Sequence, residues 1–106
     1  MNTEEKIRKQ LADNPVLLYM KGTPDDPKCG FSRNAVNSLS ELDATYSYVN
    51  VLEAPFIREK LPSVSDWPTF PQLFINGELV GGSDVVCEMA ADGSLRPMLE
   101  KAGEQG

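Results

Sequence analysis

The stretch PDDPKCGFSRN holds the residues of this chain best suited to covalent chemistry, with Cys29 followed three positions later by Ser32. In a two-thiol site of that spacing, the second cysteine attacks a mixed disulfide on the first and releases whatever was bound. A serine hydroxyl is a far weaker nucleophile and forms no disulfide, so a mixed disulfide at Cys29 must wait for a thiol from outside. Cys29 also lies where a loop with prolines and a glycine gives way to a helical pattern, which sets its sulfur before unpaired backbone N–H groups. Such donors, together with the helix dipole, lower a thiol pKa from ~8.5 into a range of roughly 3.5–7.5. Lys21 and Lys28 add positive charge nearby. The plainer alternative is a small apolar side chain buried at a turn. The second cysteine, Cys87, falls mid-helix beside Val85, Val86 and Met89, where packing is a better reading than disulfide resolution.

The whole-chain balance narrows the field. There is no histidine, which removes Cys–His catalysis, mixed Cys/His zinc sites and the usual general base near neutral pH. Ten basic against 16 acidic residues give a net charge of −6, opposed to a nucleic-acid or anionic-membrane surface, either of which needs a concentrated basic face. No segment approaches the roughly 20 apolar residues that cross a bilayer. The start, MNTEEKIRKQLADN, is charged throughout and has no apolar signal stretch. A cytoplasmic protein is expected, in a reducing compartment where a structural Cys29–Cys87 disulfide is not. The span 1–106 reads as one domain, long enough for a single core.

The elements that must position Cys29 follow from pattern. Residues 3–13 are expected as a helix capped by Asn2 or Thr3, with Glu4 and Glu5 at its positive end and Ile7 and Leu11 on one face. Asn14-Pro15 stops it. VLLYM (16–20) is a continuous apolar run, as in a strand covered on both faces. KGTPDDPK (21–28) reads as loop. Phe31, Ala35, Leu39 and Leu42 recur at three- to four-residue intervals and predict a helix beginning close to Cys29. TYSYVNV (45–51) alternates as a strand. Pro55 opens a short helix with Ile57 and Leu61 on one face, and 63–71 is expected to be irregular. QLFI and ELV flank Asn76-Gly77, a pair suited to a type I′ turn. Ser83 or Asp84 caps a helix running to about Asp92, with Val85, Val86 and Met89 inward; Gly93 stops it, and a last helix carries Leu95, Met98 and Leu99. The order α-β-α-β-α-β-β-α-α predicts an α/β fold: a parallel pair joined to an antiparallel hairpin, a mixed four-stranded sheet flanked by helices on both faces.

CGFS (29–32), WPTFP (67–71) and GGSD (81–84), together with Lys21 and the 22–28 loop, resemble the monothiol glutaredoxins of the CGFS class, from about Glu5 to Leu99. The resemblance implies a thioredoxin-like fold and glutathione binding. Cys29 matches the active-site cysteine, and Lys21 the lysine near glutathione and the thiolate. Arg58 matches the arginine that pairs with the glycine carboxylate of glutathione. Phe70 precedes Pro71, which matches the cis-proline that exposes the Phe70 backbone to the cysteine residue of glutathione. Ser83 and Asp84 match the pair that holds the γ-glutamyl end. Taken singly, each residue has a plainer role: Lys21 and Arg58 as solvated charges, Trp67 as a plug at a core edge, Pro71 as a trans turn proline, Asp84 as a helix cap. Ser83 also departs from relatives that carry a cysteine there.

A [2Fe–2S] cluster normally takes four thiolate ligands. One chain offers Cys29, two chains offer two, and one glutathione per chain completes the count. The resemblance implies such a cluster, held between the subunits of a homodimer and passed to iron–sulfur acceptor proteins, with a BolA-like protein as a further partner. The expected role is thus a carrier rather than an efficient enzyme, with glutathione-dependent thiol–disulfide exchange and iron sensing as the competing readings.

Overall fold

The computed structural model describes residues 1–103; the last three positions of the 1–106 span lie outside the described residues. In chain order the elements are α1 (Thr3–Asp13), β1 (Val16–Met20), β2 (Gly22–Thr23), β3 (Asp26–Pro27), α2 (Gly30–Glu41), β4 (Ser47–Asn50), α3 (Pro55–Ser65), β5 (Gln72–Ile75), β6 (Glu78–Gly81), α4 (Ser83–Asp92) and α5 (Leu95–Glu100). The main sheet has strand order β4-β1-β5-β6. β1 runs parallel to β4 and antiparallel to β5, which pairs antiparallel with β6. Among the described residues, no helix is long and apolar enough to cross a membrane.

The two faces of β1 explain the layering. Successive side chains on a strand point to opposite faces, and all five residues of β1 are buried. Val16, Leu18 and Met20 join Ala35, Val36 and Leu39 of α2, Val86 of α4 and Leu95 of α5. Leu17 and Tyr19 join Ile7 of α1 and Ile57 and Leu61 of α3 on the other side. Each fully buried aliphatic side chain contributes about 1.5–3 kcal/mol, so a strand with no exposed face is stable only between two helical layers. This is the mixed four-stranded sheet between helical layers that the element order predicts, in the thioredoxin-like arrangement that the resemblance implies. The β5–β6 hairpin turns at Asn76 (φ 51°) and Gly77 (φ 79°), the two left-handed residues a type I′ turn requires.

The structure differs from the sequence pattern in several places. Residues 21–28 are not plain loop: β2 and β3 pair as a miniature hairpin, with Thr23 opposite Asp26. Its ends are pinned where the Lys28 N–H donates to the Lys21 carbonyl at 2.9 Å and the Gly22 N–H to Asn50 Oδ1 at 2.9 Å. Two-residue strands are too short to show a period. Phe31 is not on the inward face of α2; it is 62% exposed, and Ser32 is fully buried in its stead. The expected strand 45–51 narrows to Ser47–Asn50, and α3 continues to Ser65 through Pro62 before Asp66 ends it in the left-handed region. Neither Ser83 nor Asp84 caps α4, because the cap is Gly82. Val86 is buried, while Val85 and Met89 are only partly so.

Gly22 has φ +97°, and a Cβ there would lie 2.5 Å from the Asp26 carbonyl oxygen and 2.7 Å from the Lys28 nitrogen. Gly22→Ala is expected to cost about 1–3 kcal/mol, read as a lower midpoint in urea unfolding. An unchanged midpoint would show that the hairpin does not need this backbone geometry.

Candidate functional site

Cys29 is the N-cap of α2, in extended conformation at φ −146°, ψ 156°. An N-cap side chain accepts from the first-turn amides that lack an intrahelical partner. Here the acceptor is sulfur: the Ser32 N–H donates to Cys29 Sγ at 3.3 Å. The Ser32 Oγ lies 3.3 Å from the same sulfur and accepts from the Lys21 N–H at 3.1 Å. Burial pushes the Cys29 thiol up, but the Ser32 hydroxyl, the Ser32 and Phe31 backbone N–H groups and the Lys21 charge together outweigh it. The net effect is a thiol that ionises below its ordinary value. Sequence reading saw Ser32 as a missing thiol; the structure shows a buried hydroxyl wired between a strand end and the reactive sulfur. No sequence period marks that role, since its second partner is a backbone amide eleven positions earlier.

Lys28 does not add charge at the sulfur as expected. Its ammonium pairs with Asp26 at 2.6 Å across the small hairpin. Lys21 is different: among the described residues no ion pair involves either Lys21 or Arg58. Cys87 is a free thiol, only partly buried, at the contact of α4 with α2. It accepts from the Ser38 hydroxyl at 3.2 Å, and its S–H points to the Asn34 carbonyl at 3.6 Å. A packing and hydrogen-bonding role there agrees with the sequence reading.

A groove of about 530 Å³ adjoins Cys29. Lys21 enters it from the end of β1, Phe31 from the first turn of α2, Arg58 and Pro62 from α3, residues 67–70 from the segment before β5, and residues 82–84 from the start of α4. Lys21, Arg58, Phe70, Ser83 and Asp84, which are far apart in sequence, thus share one concavity. Cys29 itself is not among the lining residues, but Phe31 and Lys21 connect it to the groove. The Phe70–Pro71 peptide is cis. Gly82 presents no side chain to the first-turn amides of α4, so the N–H groups of Ser83 and Asp84 have no side-chain cap. A Cβ at Gly82 would lie 3.0 Å from Trp67 Nε1 and 3.3 Å from the Pro71 carbonyl. Trp67 therefore packs as the groove wall over Gly82, which is more than the edge plug its type suggests.

The groove thus offers two cations that form no ion pair among the described residues, first-turn amides without a side-chain cap and an adjacent thiol of lowered pKa, a combination suited to a small anionic thiol. The sequence model of the Glutaredoxin family matches residues 16–80. The chain belongs to the glutaredoxin family. Glutaredoxin 4 of Buchnera aphidicola subsp. Acyrthosiphon pisum is 50% identical over 101 residues, covering 95% of this chain and 94% of that protein. With a single cysteine in Cys29–Ser32, this glutaredoxin is a monothiol member of the CGFS class. The solution structure of reduced apo GrxS14 from poplar matches it with a TM-score of 0.80 at 42% identity, over 96% of this chain and 94% of that one. A buckwheat glutaredoxin–glutathione complex matches with a TM-score of 0.82 at 26% identity, over 98% and 93%.

The thiolate, not the thiol, is alkylated by iodoacetamide. Because the Cys29 pKa is lowered, its rate–pH curve should lie at lower pH than that of an ordinary cysteine, measured in a Cys87→Ser background. Ser32→Ala removes the hydroxyl that helps lower the Cys29 pKa and should move the midpoint back up. A midpoint that stays put would remove the hydroxyl from the set of groups that stabilise the thiolate.

Proposed function

We propose that this glutaredoxin binds glutathione in the groove and carries a [2Fe–2S] cluster, shared with a second copy, for delivery to iron–sulfur acceptor proteins. One observation carries the reading: the five residues matched to glutathione line a single groove beside one thiol of lowered pKa, with the Ser32 hydroxyl where a resolving thiol would stand. Arg58 suits the glycine carboxylate and the uncapped amides of Ser83 and Asp84 suit the γ-glutamyl carboxylate. The Asp84 carboxylate suits the ammonium, and Phe70 offers backbone to the central residue. The buckwheat glutaredoxin of the same fold was solved as a glutathione complex.

The donor set fits the cargo. Cys29 is a partly exposed, soft thiolate ligand, and among the described residues no cluster of three or more His, Cys, Asp or Glu side chains could hold a metal alone. In this reading a four-thiolate cluster would draw on two Cys29 sulfurs, one from each copy, and two glutathione sulfurs. The protein's part is to hold glutathione, to present Cys29 ionised and to limit other ligands. Half of the ligands then dissociate freely, which favours hand-over. The reading includes a reducing, cytoplasmic setting, in which Cys29 and Cys87 would stay thiols. A BolA-like protein in place of the second copy is an alternative assembly.

The second reading, thiol–disulfide exchange, is favoured by the same lowered thiol. Cys29 would attack the glutathione sulfur of a glutathionylated substrate, expel the substrate thiolate and leave a Cys29–glutathione disulfide. A second glutathione then attacks that disulfide, restoring Cys29 and forming oxidised glutathione. In this reading the β2–β3 hairpin, which does not itself line the groove, would favour ligation over this exchange through the placement of its neighbours Lys21 and Cys29. Fast turnover of glutathionylated substrates by the wild-type protein would argue the other way.

Mixing the apoprotein anaerobically with iron, sulfide and glutathione should give visible charge-transfer bands and a doubled mass in solution. Cys29→Ser should abolish both, and Cys87→Ser should keep both. Bands that survive in Cys29→Ser would overturn the ligand assignment. Arg58 is exposed, so Arg58→Ala should weaken reduced glutathione by about 0.5–1 kcal/mol, a two- to fivefold rise in Kd by calorimetry.

A further inference from the structure

Gln72 opens β5, opposite Tyr19 of β1, and is fully buried. A buried glutamine is uncommon, because its amide must find partners or leave polar atoms unpaired away from water. Both of its hydrogens serve one stretch of chain: Nε2 donates to the Trp67 carbonyl at 2.9 Å and to the Thr69 carbonyl at 3.1 Å. Among the described residues, its Oε1 is buried without a hydrogen-bond partner. The two carbonyls fix the orientation of the amide, since turning it over would face oxygen against oxygen twice. The side chain acts as a donor alone, and an unpaired oxygen is tolerated to keep it there.

Trp67 and Thr69 belong to the segment between Asp66, the left-handed end of α3, and the start of β5. That segment forms no helix or strand, yet residues 67–70 make one wall of the groove. The indole N–H of Trp67 is itself buried and finds no partner among the described residues, so no hydrogen bond from them through the ring holds it in place. Its placement depends on packing and on the carbonyl of the same residue, which Gln72 holds.

We infer that Gln72 is a positioning residue for the groove: its two hydrogen bonds fix the spacing of Trp67 and Thr69, and with it the wall against which glutathione lies. Gln72 touches no ligand in this scheme; it acts through the backbone of the wall. An apolar side chain of equal length fills the same space and removes the unpaired oxygen, but leaves the two carbonyls unheld. The binding part of this inference rests on the glutathione reading; the order of the wall does not.

Trp67 is the chain's single tryptophan, so its fluorescence reports on the wall directly. Gln72→Met is expected to keep a thermal midpoint near that of the wild type, shift the Trp67 emission to longer wavelength and increase quenching by acrylamide. Its Kd for reduced glutathione should rise about three- to tenfold, the range for losing hydrogen-bonded support. Unchanged emission, quenching and affinity would overturn the inference, as would a lowered midpoint with affinity and emission intact, which is the mark of a merely structural residue. If the wild type itself fails to bind reduced glutathione, the functional reading falls, and the fluorescence comparison decides Gln72 by itself. Hydrogen exchange of the Gln72 side-chain amide in the wild type, followed by NMR, needs no variant: slow exchange supports the two bonds and exchange at the rate of a free amide overturns them.

Discussion

Where β1 ends, the N–H of Lys21 donates to the buried hydroxyl of Ser32, and that hydroxyl lies 3.3 Å from the sulfur of Cys29. A sheet covered on both faces cannot shift without exposing apolar side chains, so whatever is bonded to its edge inherits its rigidity. Through Ser32, the first turn of α2 is tied to that edge, and the N-cap sulfur with it. A helix start by itself would supply donors, but it would not fix them relative to the lysine emerging from the strand. The serine supplies both the stabilisation of charge and the alignment.

The groove beside this sulfur is assembled from four further places: α3, the irregular segment after it, the Gly82 cap and the first turn of α4. None of these is special in isolation. Arg58 is an exposed helix cation, Asp84 an ordinary first-turn acid, and Gly82 an unremarkable glycine with negative φ. Their convergence follows from topology. The strand order β4-β1-β5-β6 brings the end of β1, the start of β5 and the end of β6 to one edge of the sheet, with α2 and α4 starting there. The protein carries a net charge of −6, yet this edge keeps two cations that have no carboxylate partner among the described residues, while Lys28 pairs with Asp26.

How much of this could be read beforehand differs by element. The buried strand VLLYM, the Asn76-Gly77 turn and the helix on Ala35 and Leu39 announce themselves, because burial on two faces, positive φ and a 3.6-residue period each leave a mark in residue type. The N-cap sulfur was legible from the loop-to-helix change at Cys29. Lys21, Arg58, Phe70, Ser83 and Asp84 were legible only as a set in register with a known family, since a single cation or acid carries no period. Phe31 misled because an aromatic at helical spacing reads as core, whereas here the sulfur site turns it outward and buries Ser32. The β2–β3 pairing, the Asp26–Lys28 pair and the Gln72 bonds left no signal, for they depend on backbone carbonyls and on distances that only the folded chain defines.

The small hairpin between Lys21 and Lys28 starts and finishes at nearly the same point, because the Lys28 N–H bonds back to the Lys21 carbonyl. Residues 22–27 are thus a closed excursion that leaves and rejoins the scaffold at one junction, with the Gly22 N–H bonded besides to Asn50 Oδ1. Insertions or deletions within that excursion can be absorbed without moving the sulfur or altering strand register, since loop closure costs grow only slowly with length.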